Sequence, residues 1–83
     1  MDLGLVMQKC REKAGLSQER LALLLNKSRS CISKIENGRK VLDAQTMMQW
    51  TEATGTREVF VSFVYGVDAP TIIQNVLSLV GAA

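Results

Sequence analysis

Apolar residues recur along this chain at spacings of three and four, the pattern of helices that bury one face. The first run predicts a helix over about residues 3–14. Gly15 follows it and can end the helix in the left-handed conformation. The buried face of this helix is predicted from the apolar positions Leu3, Val6, Met7, Cys10 and Ala14.

Two short helices are predicted next. Ser17 is placed to cap the first, and Asn26, which tolerates the left-handed conformation, ends it. Ser28 caps the second, over about 29–36, and Asn37-Gly38 ends it. The inward side chains are Leu21, Ala22, Leu24 and Leu25 on the first, and Ile32 and Ile35 on the second. Because about three residues join the pair, the helices should cross steeply, as in a helix-turn-helix.

Asp43 caps a fourth helix that runs to about Thr54, and Gly55 closes it. Its predicted buried residues are Met47, Met48, Trp50 and Ala53. Residues 56–65 are ambiguous: their Val and Phe content favours a strand. A cap at Thr56 and an early Glu58 favour a helix, which is the prediction adopted.

The sequence Asp68-Ala69-Pro70 predicts the start of a last helix over about 70–80. Its apolar face is formed by Ile72, Ile73, Val76, Leu77 and Val80. The predicted fold class is therefore all-α, with five to six short helices. The expected organisation is a helix-turn-helix domain over 1–66, with the motif at 17–36, and a C-terminal segment over 67–83 that either dimerises or packs on the core.

Charge is distributed unevenly in this chain of 83 residues, although its formal net charge is only +2. Residues 1–40 hold nine cations and four acids, and residues 41–83 hold one cation and four acids. A basic half suggests a face that binds a polyanion, although a merely solvated helical surface has the same composition.

Several classes of function find no support in the sequence. There is no histidine, no cysteine cluster and no glycine-rich phosphate loop, so we expect no enzyme, metal, cofactor or small-molecule ligand. The longest uncharged stretch, 69–83, is too short and too polar to span a bilayer, and no signal peptide is visible. A reducing cytoplasm is expected, with Cys10 and Cys31 as small core residues. A redox-sensing Cys31 is the alternative.

The third predicted helix has an inside and a polar outside. Successive residues of a helix are rotated by ~100°. If Ile32 and Ile35 point inward, one set of side chains therefore lies mostly on the outward face. That set is Arg29, Ser30, Ser33 and Lys34. Serines let a helix approach a surface closely, and Arg and Lys can bond guanine O6 and N7 in the major groove.

The segment "LSQERLALLLNKSRSCISKIENGRK" resembles the helix-turn-helix of the Cro/CI (XRE) family, which includes the lambdoid phage repressors. The resemblance extends over about residues 3–66 and implies a lambda-repressor-like fold. The family usually has Gly where Asn26 stands, and often an apolar residue in place of Lys27. The matching positions are Leu16, Gln18, Leu21, Ala22, Leu25, Ser28, Ile32, Ser33, Ile35, Glu36 and Gly38.

The resemblance also implies roles for individual residues. Arg29, Ser30 and Lys34 would read bases, with Ser33 nearby. Arg11 would pair with Glu36 and tie the first helix to the end of the third. The residues expected at DNA phosphates are Gln18, Lys27, Ser28, Asn37, Arg39 and Lys40.

The C-terminal third is more apolar than a lone domain of this size needs, so a homodimer interface is expected there. The alternative is that the last helix packs on its own core. The predicted interface residues are Phe60, Phe63, Val64, Ile72, Ile73, Val76, Leu77 and Val80. Together these features predict a sequence-specific regulator of transcription, a Cro-like repressor that binds near-palindromic double-stranded DNA as a dimer. The alternative is a protein-interaction or antitoxin-like module on the same scaffold.

Overall fold

Five helices follow one another without a strand in the part of the chain that the structure, a computed structural model, describes, residues 2–65. They are α1 (Leu3–Lys13), α2 (Gln18–Leu24), α3 (Arg29–Glu36), α4 (Ala44–Thr54) and α5 (Arg57–Tyr65). The all-α prediction is confirmed, and the strand alternative for 56–65 is wrong. The helix predicted over 70–80 lies outside the described residues.

Side-chain caps begin the first four helices. The oxygens of Asp2, Ser17, Ser28 and Asp43 accept hydrogen bonds from the N–H groups of Leu5, Arg20, Cys31 and Thr46. Such caps satisfy backbone donors that have no partner within the helix. Three of the four were predicted, and the cap at Asp2 was not. The hydroxyl of Thr56, the cap predicted for α5, instead hydrogen-bonds to the hydroxyl of Thr54 at 2.8 Å.

The core is centred on Trp50, whose side chain is fully buried. Its Nε1–H donates to the carbonyl oxygen of Met7 at 3.0 Å, so the indole joins α4 to α1 without an unpaired polar group. Met7, Leu21, Ile32 and Val59 are also fully buried in this core. Helices α1 and α4 therefore form the base on which α2 and α3 are held, and α5 packs against α4.

Gly4 brings α1 directly onto the end of α3. A Cβ atom at this position would lie 2.6 Å from the backbone oxygen of Glu36 and 2.7 Å from that of Ile35. Such distances are shorter than van der Waals contact, so only glycine allows this approach. The position of the C-terminal end of α3 is thus set by the backbone of α1.

Three predicted core residues, Ala14, Leu24 and Met48, are exposed. Ala14 is the C-cap of α1, beyond the last helical turn, so the helical spacing no longer places it inward. With a rotation of ~100° per residue, Leu24 lies roughly 110° from the centre of the buried face of α2. Met48 lies at a similar angle from the centre of the buried face of α4. Helical spacing alone therefore does not distinguish an apolar residue beside a buried stripe from a member of that stripe.

Candidate nucleic-acid interface

A short turn joins α2 and α3. Four residues separate Leu24 from Arg29, and among them Asn26 adopts the left-handed conformation, with φ 54°. The N–H of Lys27 donates to the carbonyl oxygen of Ala22 at 2.8 Å, which closes the end of α2. The turn places the first turn of α3 at the surface, since Ser28 and Arg29 are both exposed.

Helix α3 separates its side chains into two faces. Cys31, Ile32, Ile35 and Glu36 are buried. On the other face Arg29, Ser30 and Lys34 are exposed and Ser33 is half-buried. The structure therefore brings the four residues predicted to contact bases onto one side of one helix, with two cations and two small hydroxyls.

Arg29 has an acidic neighbour that the sequence analysis missed. Its Nε lies 4.0 Å from Oε1 of Glu19, and both side chains are mostly exposed. An ion pair in this setting is weak, because water screens it. The pair nevertheless shows that the first turn of α2 and the first turn of α3 face the same solvent region.

Glu36 is the only acid of α3, and it accepts hydrogen bonds from two other elements. Arg11 donates from Nε to Oε2 at 2.7 Å and from Nη2 to Oε1 at 3.1 Å. The third donor is Nε2 of Gln18, 3.0 Å from Oε1. Arg11 also donates from Nη1 to the carbonyl oxygen of Leu16 at 2.8 Å. One carboxylate thus fixes α1, the start of α2 and the end of α3 relative to one another.

The other residues expected at phosphates lie close to the two ends of α3. Lys27 and Arg39 are exposed, and the hydroxyl of Ser28 caps the helix. Asn37 donates from Nδ2 to Oγ of Ser33 at 3.3 Å. Lys40 is exposed overall, but its Nζ lies 3.1 Å from Sγ of Cys31.

Asp43, the cap of α4, responds to the charge of two of these cations. The pKa of its carboxyl group is lowered, chiefly because the carboxylate accepts a hydrogen bond from the backbone N–H of Thr46. Lys27 and Lys40 lower it further by their charge. The charges of Lys27 and Lys40 therefore act at the N-terminal end of α4.

Both cysteines of the described region are buried and free of disulfides. Burial raises the pKa of the Cys10 thiol, as expected for a small core residue. The sequence does not determine whether Cys31 is exposed. In the structure only 9% of this residue is exposed. Its contact with Lys40 had no signal in the sequence.

Within residues 2–65, the acids and cysteines form no group of three or more that could hold a metal ion. No helix in that same range is both long and apolar enough to cross a membrane.

Of the residues predicted at a dimer interface, three belong to α5. Phe60 is half-buried, and Phe63 and Val64 are exposed. The remaining five, Ile72, Ile73, Val76, Leu77 and Val80, lie outside the described residues.

A family model described as "Helix-turn-helix" matches residues 7–61, which is well over half of the chain. The match includes all of α2, the turn and α3, and most of α1 and α5. The chain therefore belongs to this family of DNA-binding regulators, of the Cro/CI (XRE) type. The family is not one of enzymes. Neither the curated proteins nor the solved structures give a match.

Proposed function

We propose that this DNA-binding regulator is a repressor of the Cro type. It binds a near-palindromic operator as a homodimer and inserts α3 into the major groove. The single observation that carries the proposal is the outer face of α3, where Arg29, Ser30 and Lys34 are exposed beside the half-buried Ser33. Because the chain acts on DNA, we place it in the cytoplasm.

The chemistry of this face supports base reading. Arg29 and Lys34 can donate to guanine O6 and N7, and a good bidentate contact discriminates by ~1–3 kcal/mol. Lys27 lies before α3, and Arg39 and Lys40 follow it. In this proposal these exposed cations neutralise DNA phosphates and so fix the orientation of α3.

A homodimer follows from the small size of this reading face. One short helix contacts few base pairs, whereas a two-fold dimer doubles the contacts on half-sites whose centres are ~34 Å apart, or a multiple of that distance. Two exposed apolar side chains of α5, Phe63 and Val64, support an interface in the C-terminal third.

Selection of bound sequences from a random pool of DNA duplexes tests the proposal. We expect an enriched palindrome whose affinity falls steeply with salt. The same exposed side chains of α5 favour the second candidate, a protein-interaction or antitoxin-like module. Binding without sequence enrichment, or no binding to DNA, together with a tight protein partner, would support this module instead.

Arg29→Ala is expected to relax the preference for one base pair in each half-site. It should also weaken binding to the selected operator by ~1–3 kcal/mol. The guanidinium is lost while the cap at Ser28 and the buried face of α3 remain. Binding constants for operators with all four base pairs at each position provide the measurement. An equal loss on all of these sequences would reject the base-reading role.

Arg39→Ala is expected to lower the affinity for all DNA sequences by the same factor. Loss of one phosphate contact should reduce the slope of log affinity against log salt by about 0.9. Arg57→Ala removes another exposed arginine, from α5, and serves as the control with an unchanged slope. If Arg39→Ala leaves the slope at the parental value, Arg39 does not contact a phosphate.

A further inference from the structure

An exposed acid lies beside the first residue of α3. Glu19 belongs to the first turn of α2, and its Oε1 is 4.0 Å from Nε of Arg29. The side chain of Glu19 is 78% exposed and that of Arg29 is 65% exposed. A carboxylate on a face that binds DNA repels the phosphates, so it weakens binding to every sequence. An acid in this turn also stabilises α2 through the helix dipole, an effect that does not depend on Arg29.

The side of the Arg29 guanidinium that faces the acid decides which donors remain for DNA. An arginine carries its N–H donors in one plane, one of them on Nε and the others on the two terminal nitrogens. Because Nε is the nitrogen that lies 4.0 Å from Glu19, the edge formed by Nη1 and Nη2 stays available to another acceptor. That edge presents two parallel donors, which match the O6 and N7 acceptors of guanine.

We propose that Glu19 is a positioning residue that determines specificity through Arg29. Its carboxylate attracts Nε and holds the guanidinium so that the Nη1–Nη2 edge faces a guanine in the major groove. This inference rests on the proposed function and deepens it. It assigns guanine to Arg29, and it gives a residue outside α3 a part in the choice of base pair.

The attraction between Glu19 and Arg29 is weak in water and becomes stronger on DNA. At 4.0 Å the two groups attract as charges, since a hydrogen bond needs ~2.7–3.2 Å, and water screens them while both are exposed. Insertion of α3 into the groove removes that water, and charges attract more strongly at a lower dielectric constant. An arginine that leaves Glu19 for a phosphate loses this attraction and reads no base. The acid therefore raises the ratio of specific to non-specific binding while it lowers affinity overall.

Glu19→Ala separates the effect on specificity from the effect on affinity. Affinity for DNA of random sequence should rise, because one negative charge beside the phosphates is removed. The preference for guanine at the base pair that Arg29 reads should fall about threefold to tenfold, the cost of ordering a long side chain at an interface. Binding constants for operators with each of the four base pairs at that position measure the preference, and the Arg29→Ala variant identifies the position.

Glu58→Ala is the matched control. Glu58 is also exposed and also lies in the first turn of a helix, α5, so its removal eliminates the same kind of interaction with a helix dipole. This variant should keep the parental preference for guanine. The double variant Glu19→Ala/Arg29→Ala completes a double-mutant cycle. Once Arg29 is absent, the loss of Glu19 should no longer alter the preference at this base pair.

The outcomes distinguish this inference from the proposed function. If Arg29→Ala abolishes the preference for guanine and Glu19→Ala leaves it unchanged, the inference is overturned and the proposed function stands. A parent that prefers no base pair would overturn both. A preference of Arg29 for another base would overturn the assignment of guanine. An effect of Glu19→Ala that persists without Arg29 would also overturn the inference, because the carboxylate would then read a base itself, for example N4 of cytosine.

Discussion

Arg11→Met should lower the free energy of unfolding by ~3–5 kcal/mol. Glu36 is the reason: its side chain is 2% exposed and that of Arg11 is 12% exposed. Without the guanidinium, the carboxylate stays buried with Gln18 as its remaining side-chain donor, and it loses the charge that compensates its desolvation. Urea unfolding followed by circular dichroism measures the change. For a domain with a stability of ~5–15 kcal/mol, the loss is a large fraction of the total.

A matched control lies on the same helix. Lys9 pairs with Glu12 at 3.3 Å, with both side chains about one-third exposed, so Lys9→Met should change stability by less than ~1 kcal/mol. The double variant Arg11→Met/Glu36→Leu should recover much of the loss, because no buried charge is left. Equal effects of Arg11→Met and Lys9→Met would refute the buried-pair account.

Gly4→Ala is expected to destabilise the protein by about 2 kcal/mol, in the range of overpacked cores. Alanine favours a helix over glycine by up to ~1 kcal/mol, which opposes the clash. The clash should prevail, because the atoms 2.6 and 2.7 Å from the new Cβ are backbone oxygens of Glu36 and Ile35. They can move only if the end of α3 moves, so the affinity for operator DNA should fall as well.

Gly15→Ala provides the comparison. Gly15 has φ +73° and no neighbouring atom within 4 Å of a Cβ. The left-handed conformation alone should destabilise this variant by ~1–2 kcal/mol, with no effect on the position of α3. Both variants are compared at a temperature where each is folded. If the two lose DNA affinity to the same extent, contact between α1 and α3 is not what positions α3 for DNA binding.

Much of the fold could be predicted because its signals are local. The caps at Ser17, Ser28 and Asp43 and the left-handed Asn26 depend on neighbouring residues, so the bounds of α3 were predicted correctly. Residues 56–65 were harder, since their Val and Phe content favours a strand whereas Glu58 early in the segment favours a helix. The least reliable prediction was the burial of an apolar residue that lies beside the buried face of a helix, such as Leu24. Its burial depends on whether a neighbouring helix covers that side.

Only part of the candidate site could be predicted from the sequence. The outer face of α3 follows from helical geometry once Ile32 and Ile35 point inward. The contact between Lys40 and Cys31, and that between Arg29 and Glu19, join residues nine or more positions apart. Neither follows from a local pattern, because each depends on how the chain turns at the ends of α3.

The hydrogen bond between Gln18 and Glu36 has a consequence for affinity. An exposed, rotamer-rich side chain loses conformational entropy worth ~0.5–1.5 kcal/mol when an interface immobilises it. Gln18 is only half-exposed, and its Nε2 is already 3.0 Å from Oε1 of Glu36. The amide carries a second N–H that is free of this bond. In the phosphate contact proposed for Gln18, the oxygen would accept from a side chain whose entropy was lost on folding. The same carboxylate that holds three helices would then also preorganise that contact.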